Sequence, residues 1–426
     1  MKLRIRNVAK IEEADLELNG ITIIAGNNNT GKSTIGKIVF SLFNSLVNLE
    51  EKIVKQKRDL IYQILKRKME DISMQSDGYF GSASRFHNRM IRYAEELAIL
   101  DSEEEQQQIL KEFAGMLKDK KTNEDETLED INGEIDRIRH LPIERLTKSV
   151  VSAYFNRIFY SEINNIYQPS ASAAIDAVIG NKTISIIFSN NNCTELRQQV
   201  NILNEAVYLD NPFVLDSLNT ILIRTDETER NTIKKLQRKS DVVEDIVQLE
   251  LIEDKVQEVL QKINQISSGT LLMDESHSYY YKEREIGERL NINNLSTGLK
   301  SFVIIKTLLE NGSLKQKDVL ILDEPEIHLH PDWQLRYAEI IVLLQKVFEL
   351  TIILTTHSPH FVEALQYYAE KYERDDKCTY YLSEISESGC RFKNVTEDPT
   401  EMLSQLVDAS IALDKLKFQM EDTKDE

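Results

Sequence analysis

The residues Gly26-Asn27-Asn28-Asn29-Thr30-Gly31-Lys32-Ser33 fit the pattern GxxxxGK[ST], which is a loop suited to holding phosphate. Its glycines let backbone N–H groups wrap β- and γ-phosphates, and Lys32 adds a point charge. Ser33, followed by Thr34, begins a helix whose positive N-terminus faces the same anion, and the Ser33 hydroxyl is placed for Mg2+. A second group, Asp323-Glu324-Pro325, ends the apolar run Val319–Leu322. In this Walker B arrangement Asp323 would hold the metal, usually through water, and Glu324 would polarise the water that attacks a γ-phosphate. Ser296-Thr297-Gly298 precedes that strand by one helix, with Ser296 as an N-cap and Gly298 permitting close approach. A capped helix start of this kind can receive an anion. His357, in Thr355-Thr356-His357-Ser358-Pro359, follows a further apolar run, from which its side chain could reach the terminal phosphate.

These groups need a scaffold that brings strand ends together. Leu3 and Ile5, then Ala14, Leu16 and Leu18, alternate as in half-buried antiparallel strands, so a hairpin opens the fold. Three short apolar runs, at 21–24, 319–322 and 351–354, read as strands buried on both faces. Separated by helical stretches, they imply an α/β fold with a mostly parallel sheet. A hairpin is expected in AVIGNKTISIIF and a strand at Ala206–Asp210. Between the first and later strands, residues 46–165 carry a charged helical pattern and read as an inserted α-helical domain. Residues 1–45, 166–226 and 267–400 form the expected core, with a helical segment at 227–266 and a C-terminal helix and acidic tail at 401–426. Leu249, Ile252, Val256, Val259, Ile263 and Ile266 repeat at heptad spacing, too briefly for a long coiled coil.

A formal charge of −19 over 426 residues opposes nonspecific adhesion to nucleic acid or anionic membranes. Any DNA contact would need a local basic patch. The candidate set is Lys52, Lys55, Lys57, Arg58, Lys66, Arg67 and Lys68, with Lys234, Lys235, Arg238 and Lys239, although a solvated helix face is the more ordinary reading of such residues. Three scattered cysteines, Cys193, Cys378 and Cys390, suit a reducing cytoplasmic compartment and make neither a disulfide framework nor a CxxC site. No apolar run reaches the ~18 residues of a membrane span, so no membrane association is expected. The pairs His328/His330 and His357/His360 admit a zinc reading, but no cysteine joins them.

In carrying GNNNTGKST, NLSTGLKS, DEPEIHLHP and TTHSPHF, the chain resembles the ABC-type ATPases. That group includes SMC proteins, RecF-like repair proteins and the ATPases of bacterial phage-defence proteins of the overcoming-lysogenization-defect and Septu type. The matching motifs lie in residues 1–45 and 270–365. The resemblance implies an ABC-type P-loop head and ATP with Mg2+ as ligands. It also implies a head-to-tail homodimer, or a higher oligomer, in which Ser296–Gly298 completes the opposite protomer's site. His357 would be the switch histidine, and Glu326–Pro331 a loop facing the dimer partner. No glutamine follows Ala206–Asp210 to sense the metal, which leaves Gln168 or another residue for that task.

A transporter subunit is excluded by the long stretch between Lys32 and Ser296, and an SMC protein by the shortness of the insertion. Neither the carboxylates of a Toprim nuclease nor an HNH-like cluster is recognisable after His357. The expected role is therefore an ATP-hydrolysing sensor or scaffold that controls a separately encoded effector such as a nuclease. The alternative is a RecF- or SMC-like ATPase that binds DNA.

Overall fold

A computed structural model describes residues 1–75, 83–100, 102–116, 124–220, 226–238, 253–284 and 287–407. It divides the chain into two compact units, Met1–Val47 with Tyr154–Glu426, and Asn48–Ala153.

In the first unit, β1 (Lys2–Val8) and β2 (Ile11–Glu17) form the expected hairpin, with Ile5 opposite Ala14. Leu3, Ile5, Ala14 and Leu16 are buried while their neighbours face solvent, as period-two alternation requires. β3 (Ile21–Gly26) runs into the phosphate loop and α1 (Lys32–Leu46). After the second unit come β4 (Ala173–Ile179), β5 (Lys182–Ser189), β6 (Asn192–Gln198) and β7 (Ala206–Leu209). A 3-10 segment, Pro212–Asn219, then leads toward α7 (Glu227–Leu236). Further along are α8 (Glu253–Asn264) and a small three-stranded sheet of β8 (Thr270–Met273), β9 (Tyr279–Lys282) and β10 (Arg289–Asn291). The chain continues through α9 (Thr297–Glu310), β11 (Val319–Asp323), α10 (Pro331–Phe348), β12 (Thr351–Thr356) and α11 (Pro359–Lys371). β13 (Cys378–Ser386) and β14 (Gly389–Asn394) complete the order.

The main sheet has eleven strands in the order β6-β5-β4-β1-β2-β14-β13-β3-β12-β11-β7. From β13 to β7 all neighbours are parallel, whereas the hairpins β1–β2, β4–β5, β5–β6 and β13–β14 are antiparallel. The α/β architecture with a mixed sheet therefore matches expectation, and the three apolar runs are the adjacent strands β3, β12 and β11. They read as unbroken because both faces are covered. On one face Ile23, Leu322 and Leu354 join a core with Val259 of α8, Phe302 and Leu308 of α9, Ile341 of α10 and Val362 of α11. On the other, α1 lies so close that a Cβ on Gly36 would fall 2.8 Å from Ile321 Cγ2 and 3.0 Å from Tyr208 Cε2. The heptad-spaced Val256, Val259 and Ile263 are buried on α8, and Leu249 and Ile252 lie outside the described residues.

The second unit carries α2 (Leu49–Gln75), α3 (Ala83–Ile99), α4 (Glu103–Met116) and α5 (Glu124–Arg139). α6 (Ile143–Phe159) carries the chain back to the first unit. Ile61, Leu65, Tyr93, Leu97, Phe113 and Ile135 form its core. The compact unit ends at Ala153, partway along α6, whereas the sequence reading ran the insertion to residue 165. No helix among the described residues is long and apolar enough to cross a membrane. Residues 408–426, which hold most of the expected tail, and Lys239 of the basic set lie outside the described residues.

Candidate active site

Parallel strands collect ligands at their carboxyl ends, and here β3, β11 and β12 end at Gly26, Asp323 and Thr356. The phosphate loop leaves β3 at Gly26 with φ 145°, where a Cβ would lie 2.2 Å from Ser383 Oγ. Asn29 (φ 66°) and Gly31 (φ 78°) adopt the left-handed conformation that turns successive N–H groups inward. Asn27, Asn28 and Asn29 are exposed, while Thr30 is buried, donating to Asn27 O at 2.8 Å and bonding Ser383 Oγ of β13. Lys10, at the β1–β2 turn, donates to Asn29 Oδ1. Gly31 caps α1 without a side-chain hydrogen bond, and the first turn of α1 holds no acidic residue. Thr34 donates its N–H to Gly31 O.

Lys32 is buried, and its ammonium donates to Gly26 O at 3.0 Å and Asn27 O at 2.8 Å. Burial pushes its pKa down, against the attraction of Glu324, Asp323 and Glu326. A desolvated cation resting on its own loop, beside an uncapped helix start and a glycine cradle, fits a polyphosphate.

Asp323 receives three hydroxyl donors. Ser33 Oγ reaches Oδ1 at 3.0 Å, Thr355 Oγ1 donates to the same oxygen, and Tyr208 OH donates to Oδ2 at 2.7 Å. Next to it Glu324 takes a left-handed backbone, φ 49°, a conformation that bulky residues keep mainly where surroundings impose it. Its N–H is held by Thr355 Oγ1 at 3.0 Å and Thr355 O at 3.2 Å. The Glu324 carboxylate meets His357, with Oε1 2.5 Å from Nε2 but poorly directed for a hydrogen bond. Glu326 turns inward: Thr356 Oγ1 and the His357 N–H, the latter at 3.0 Å, both donate to its Oε1. Ile327 beside it is 59% exposed.

The motifs at 26–33, 323–324 and 357 thus meet at one place. Ser296 does not join them: it N-caps α9, accepting from Leu299 N at 3.4 Å. Gly298 is packed under Trp333 and His328 O, where a Cβ would have 3.0 and 3.1 Å. Among the described residues no hydrogen bond or ion pair joins Ser296, Thr297 or Gly298 to loop 26–33. One turn into the same helix, buried Lys300 pairs with Asp216 at 2.6 Å. Gln168 lies in an exposed turn with its N–H on Asn165 Oδ1. Of the paired histidines, His330 caps α10 by accepting from Asp332 N, and His328 packs edge-on to Phe213. Sequence reasoning missed Tyr208, Thr355 and Ser383, whose contacts depend on strand order. A polar tip within the apolar strand β7 was the one local signal, and it named no partner.

The family of AAA ATPase domains matches residues 1–362. The Septu protein PtuA of Bacillus thuringiensis is 39% identical over 83 residues, covering 16% of this chain and 20% of that protein. The match therefore spans a fifth of that relative's length. A retron Vc95 probable ATPase of Vibrio cholerae serotype O1 biovar El Tor is 25% identical over 400 residues, covering 84% of this chain and 71% of that protein. Among solved structures, the SMC head domain from Thermotoga maritima aligns with 92% of this chain and 98% of its own at a TM-score of 0.38 and 10% identity. An SMC head bound to the C-terminal winged-helix domain of ScpA aligns with 94% of this chain and 98% of its own at 0.40 and 11%. The phosphate loop, the paired carboxylates beyond it and the match across residues 1–362 make this chain a member of the AAA ATPase domain family.

Proposed function

We propose that ATP is hydrolysed where β3, β11 and β12 end, in a site that a second copy of the chain completes. The observation that carries this reading is the delivery, by consecutive residues of one strand end, of Asp323 to Ser33 and of Glu324 to His357. Lys32 exchanges the carbonyls of Gly26 and Asn27 for phosphate oxygens, with the loop N–H groups and the α1 N-terminus beside it. Ser33 and Asp323 would hold Mg2+, which when bound neutralises phosphate charge. Glu324 accepts a proton from the water that attacks the terminal phosphorus, and His357 orients its carboxylate. The strained backbone at Glu324 fixes that carboxylate before substrate arrives.

The capped start of α9 supports a head-to-tail homodimer, because Ser296, Thr297 and Gly298 present a helix N-terminus that, among the described residues, makes no hydrogen bond or ion pair to loop 26–33. Relatives of this chain include a Septu protein and a retron probable ATPase. On that footing the chain acts in the cytoplasm as the ATP-driven sensor or scaffold of a bacterial anti-phage system, controlling a separate effector such as a nuclease. Direct DNA binding is the weaker reading. Arg58 meets Asp59 and Glu95, Lys66 meets Glu70, and Arg67 meets Glu134, so acids interleave the basic set.

The test is ATP turnover and solution mass for the wild type and Glu324→Gln, with and without ATP and Mg2+. The variant is expected to lose turnover and to accumulate as a nucleotide-bound dimer. Persisting turnover, or a mass that ATP leaves unchanged, would overturn the reading.

A further inference from the structure

Glu326 is a carboxylate buried to 3% exposure at the turn after β11. Its two oxygens differ. Oε1 accepts from the Thr356 hydroxyl and from the His357 N–H at 3.0 Å, whereas Oε2 is buried with no partner. Burial pushes its pKa up, with Glu324 adding to the rise and the two donors opposing it. Leaving a buried polar atom unpaired is costly, so the donors on Oε1 must hold the residue in place. Those donors belong to consecutive residues where β12 ends, and the second is the residue whose imidazole lies 2.5 Å from Glu324. Ser358 adds to the fixation, since its N–H donates to the Thr356 hydroxyl oxygen at 3.0 Å and its own oxygen caps α11.

We propose that Glu326 is a positioning residue: its Oε1 ties the β12 end to the turn after β11, and this tie sets His357 against Glu324. The inference rests on the reading of Glu324 and His357 as hydrolytic residues. Glu326 itself acts only through the backbone of residue 357 and the hydroxyl of residue 356. Without the tie, the His357 backbone N–H loses its acceptor and the imidazole is free to leave Glu324. Misplacement of a reacting group by about 1 Å can lower a rate about 100-fold.

A kinetic double-mutant cycle separates this role from a purely structural one. Steady-state ATPase kinetics would be measured for Glu326→Ala, Glu326→Gln, His357→Ala and the double variant Glu326→Ala/His357→Ala. Glu326→Ala is expected to lower kcat about 10- to 100-fold with KM within threefold of the wild type. Glu326→Gln, which keeps an acceptor oxygen, is expected to recover most of that loss. In the His357→Ala background, Glu326→Ala should cost less than about threefold, because the residue it positions is gone. Losses that multiply in the double variant, or a Gln variant as impaired as Ala, would overturn the proposal while leaving the hydrolytic site standing. A His357→Ala variant with full kcat would overturn the reading of His357 and the proposal with it. Should Glu326→Ala fail to fold, the cycle runs with Thr356→Val, which removes one of the two donors. A kcat loss of about 3- to 10-fold that disappears in His357→Ala is then expected, and a multiplicative loss overturns the proposal.

Discussion

Replacing Tyr208 with Phe removes one oxygen and little else. The ring is 1% exposed and packs edge-on against Phe40 at 5.9 Å, and Phe keeps those contacts. What disappears is the 2.7 Å hydrogen bond to Asp323 Oδ2. A hydrogen bond to a charged group contributes about 1.5–3 kcal/mol, and about 1.4 kcal/mol is tenfold in an equilibrium constant. Complete loss would therefore weaken whatever Asp323 binds by roughly 10- to 100-fold, the range typical of groups that orient a metal ligand. Ser33 and Thr355 still hold Oδ1, so the lower end is expected. The assay is a Mg2+ titration of the binding of a fluorescent ATP analogue, with binding in EDTA and a thermal melt as companions. The Mg2+ half-saturation should rise about tenfold, while metal-free binding changes by less than twofold. A half-saturation within twofold of the wild type would refute the reasoning that Tyr208 holds this carboxylate for the metal.

Gly26→Ala should weaken nucleotide binding at least tenfold by calorimetry, since φ 145° and a 2.2 Å approach to Ser383 Oγ force the loop out of place at about 1–3 kcal/mol of backbone strain alone. The pH dependence of stability should show Asp210, whose carboxyl is raised from 3.8 to about 6 by burial and by the charges of Asp226 and Asp323. A raised carboxyl favours its protonated form in the fold, so the wild type should lose stability as pH climbs from about 4 to about 6. Asp210 is crowded by neighbouring atoms yet keeps solvent-exposed surface just past the end of β7, so solvent screening leaves on the order of 1 kcal/mol of the roughly 3 kcal/mol that such a rise represents. Asp210→Asn should therefore melt above the wild type at pH 7 and with it at pH 4, and equal melting at both would count against the carboxylate cluster.

The parts of the site that sequence reasoning located are those whose chemistry is local. Gly26, Lys32 and Ser33 share one turn, and Asp323 and Glu324 share one strand end, so spacing alone grouped them. β3, β11 and β12 were legible because strands covered on both faces must be apolar throughout. Tyr208, Thr355 and Ser383 were not, because a tyrosine near the end of a strand is ordinary until that strand is known to lie beside β11. Nor could spacing tell that Glu326 turns inward while Ile327 faces out, a choice made by the donors waiting at Thr356 and His357. The antiparallel half of the sheet was legible only as separate hairpins, since the pairing of β14 with β2 joins residues far apart in the chain.

The neighbours of β3 also constrain how the protein is made. Ile21 pairs with Ile352 on one side and Cys378 on the other, and Thr30 at the loop is held by Ser383. At about 5–20 residues per second of synthesis, the ribosome needs on the order of 20–70 s after making β3 to produce these partners. Throughout that interval a strand apolar on both faces has no sheet to enter, and closing so long a loop is entropically slow. The nascent chain is thus an aggregation hazard and a natural client for chaperones, and a fragment lacking β12 and β13 has no means of assembling the phosphate loop, however intact its motif.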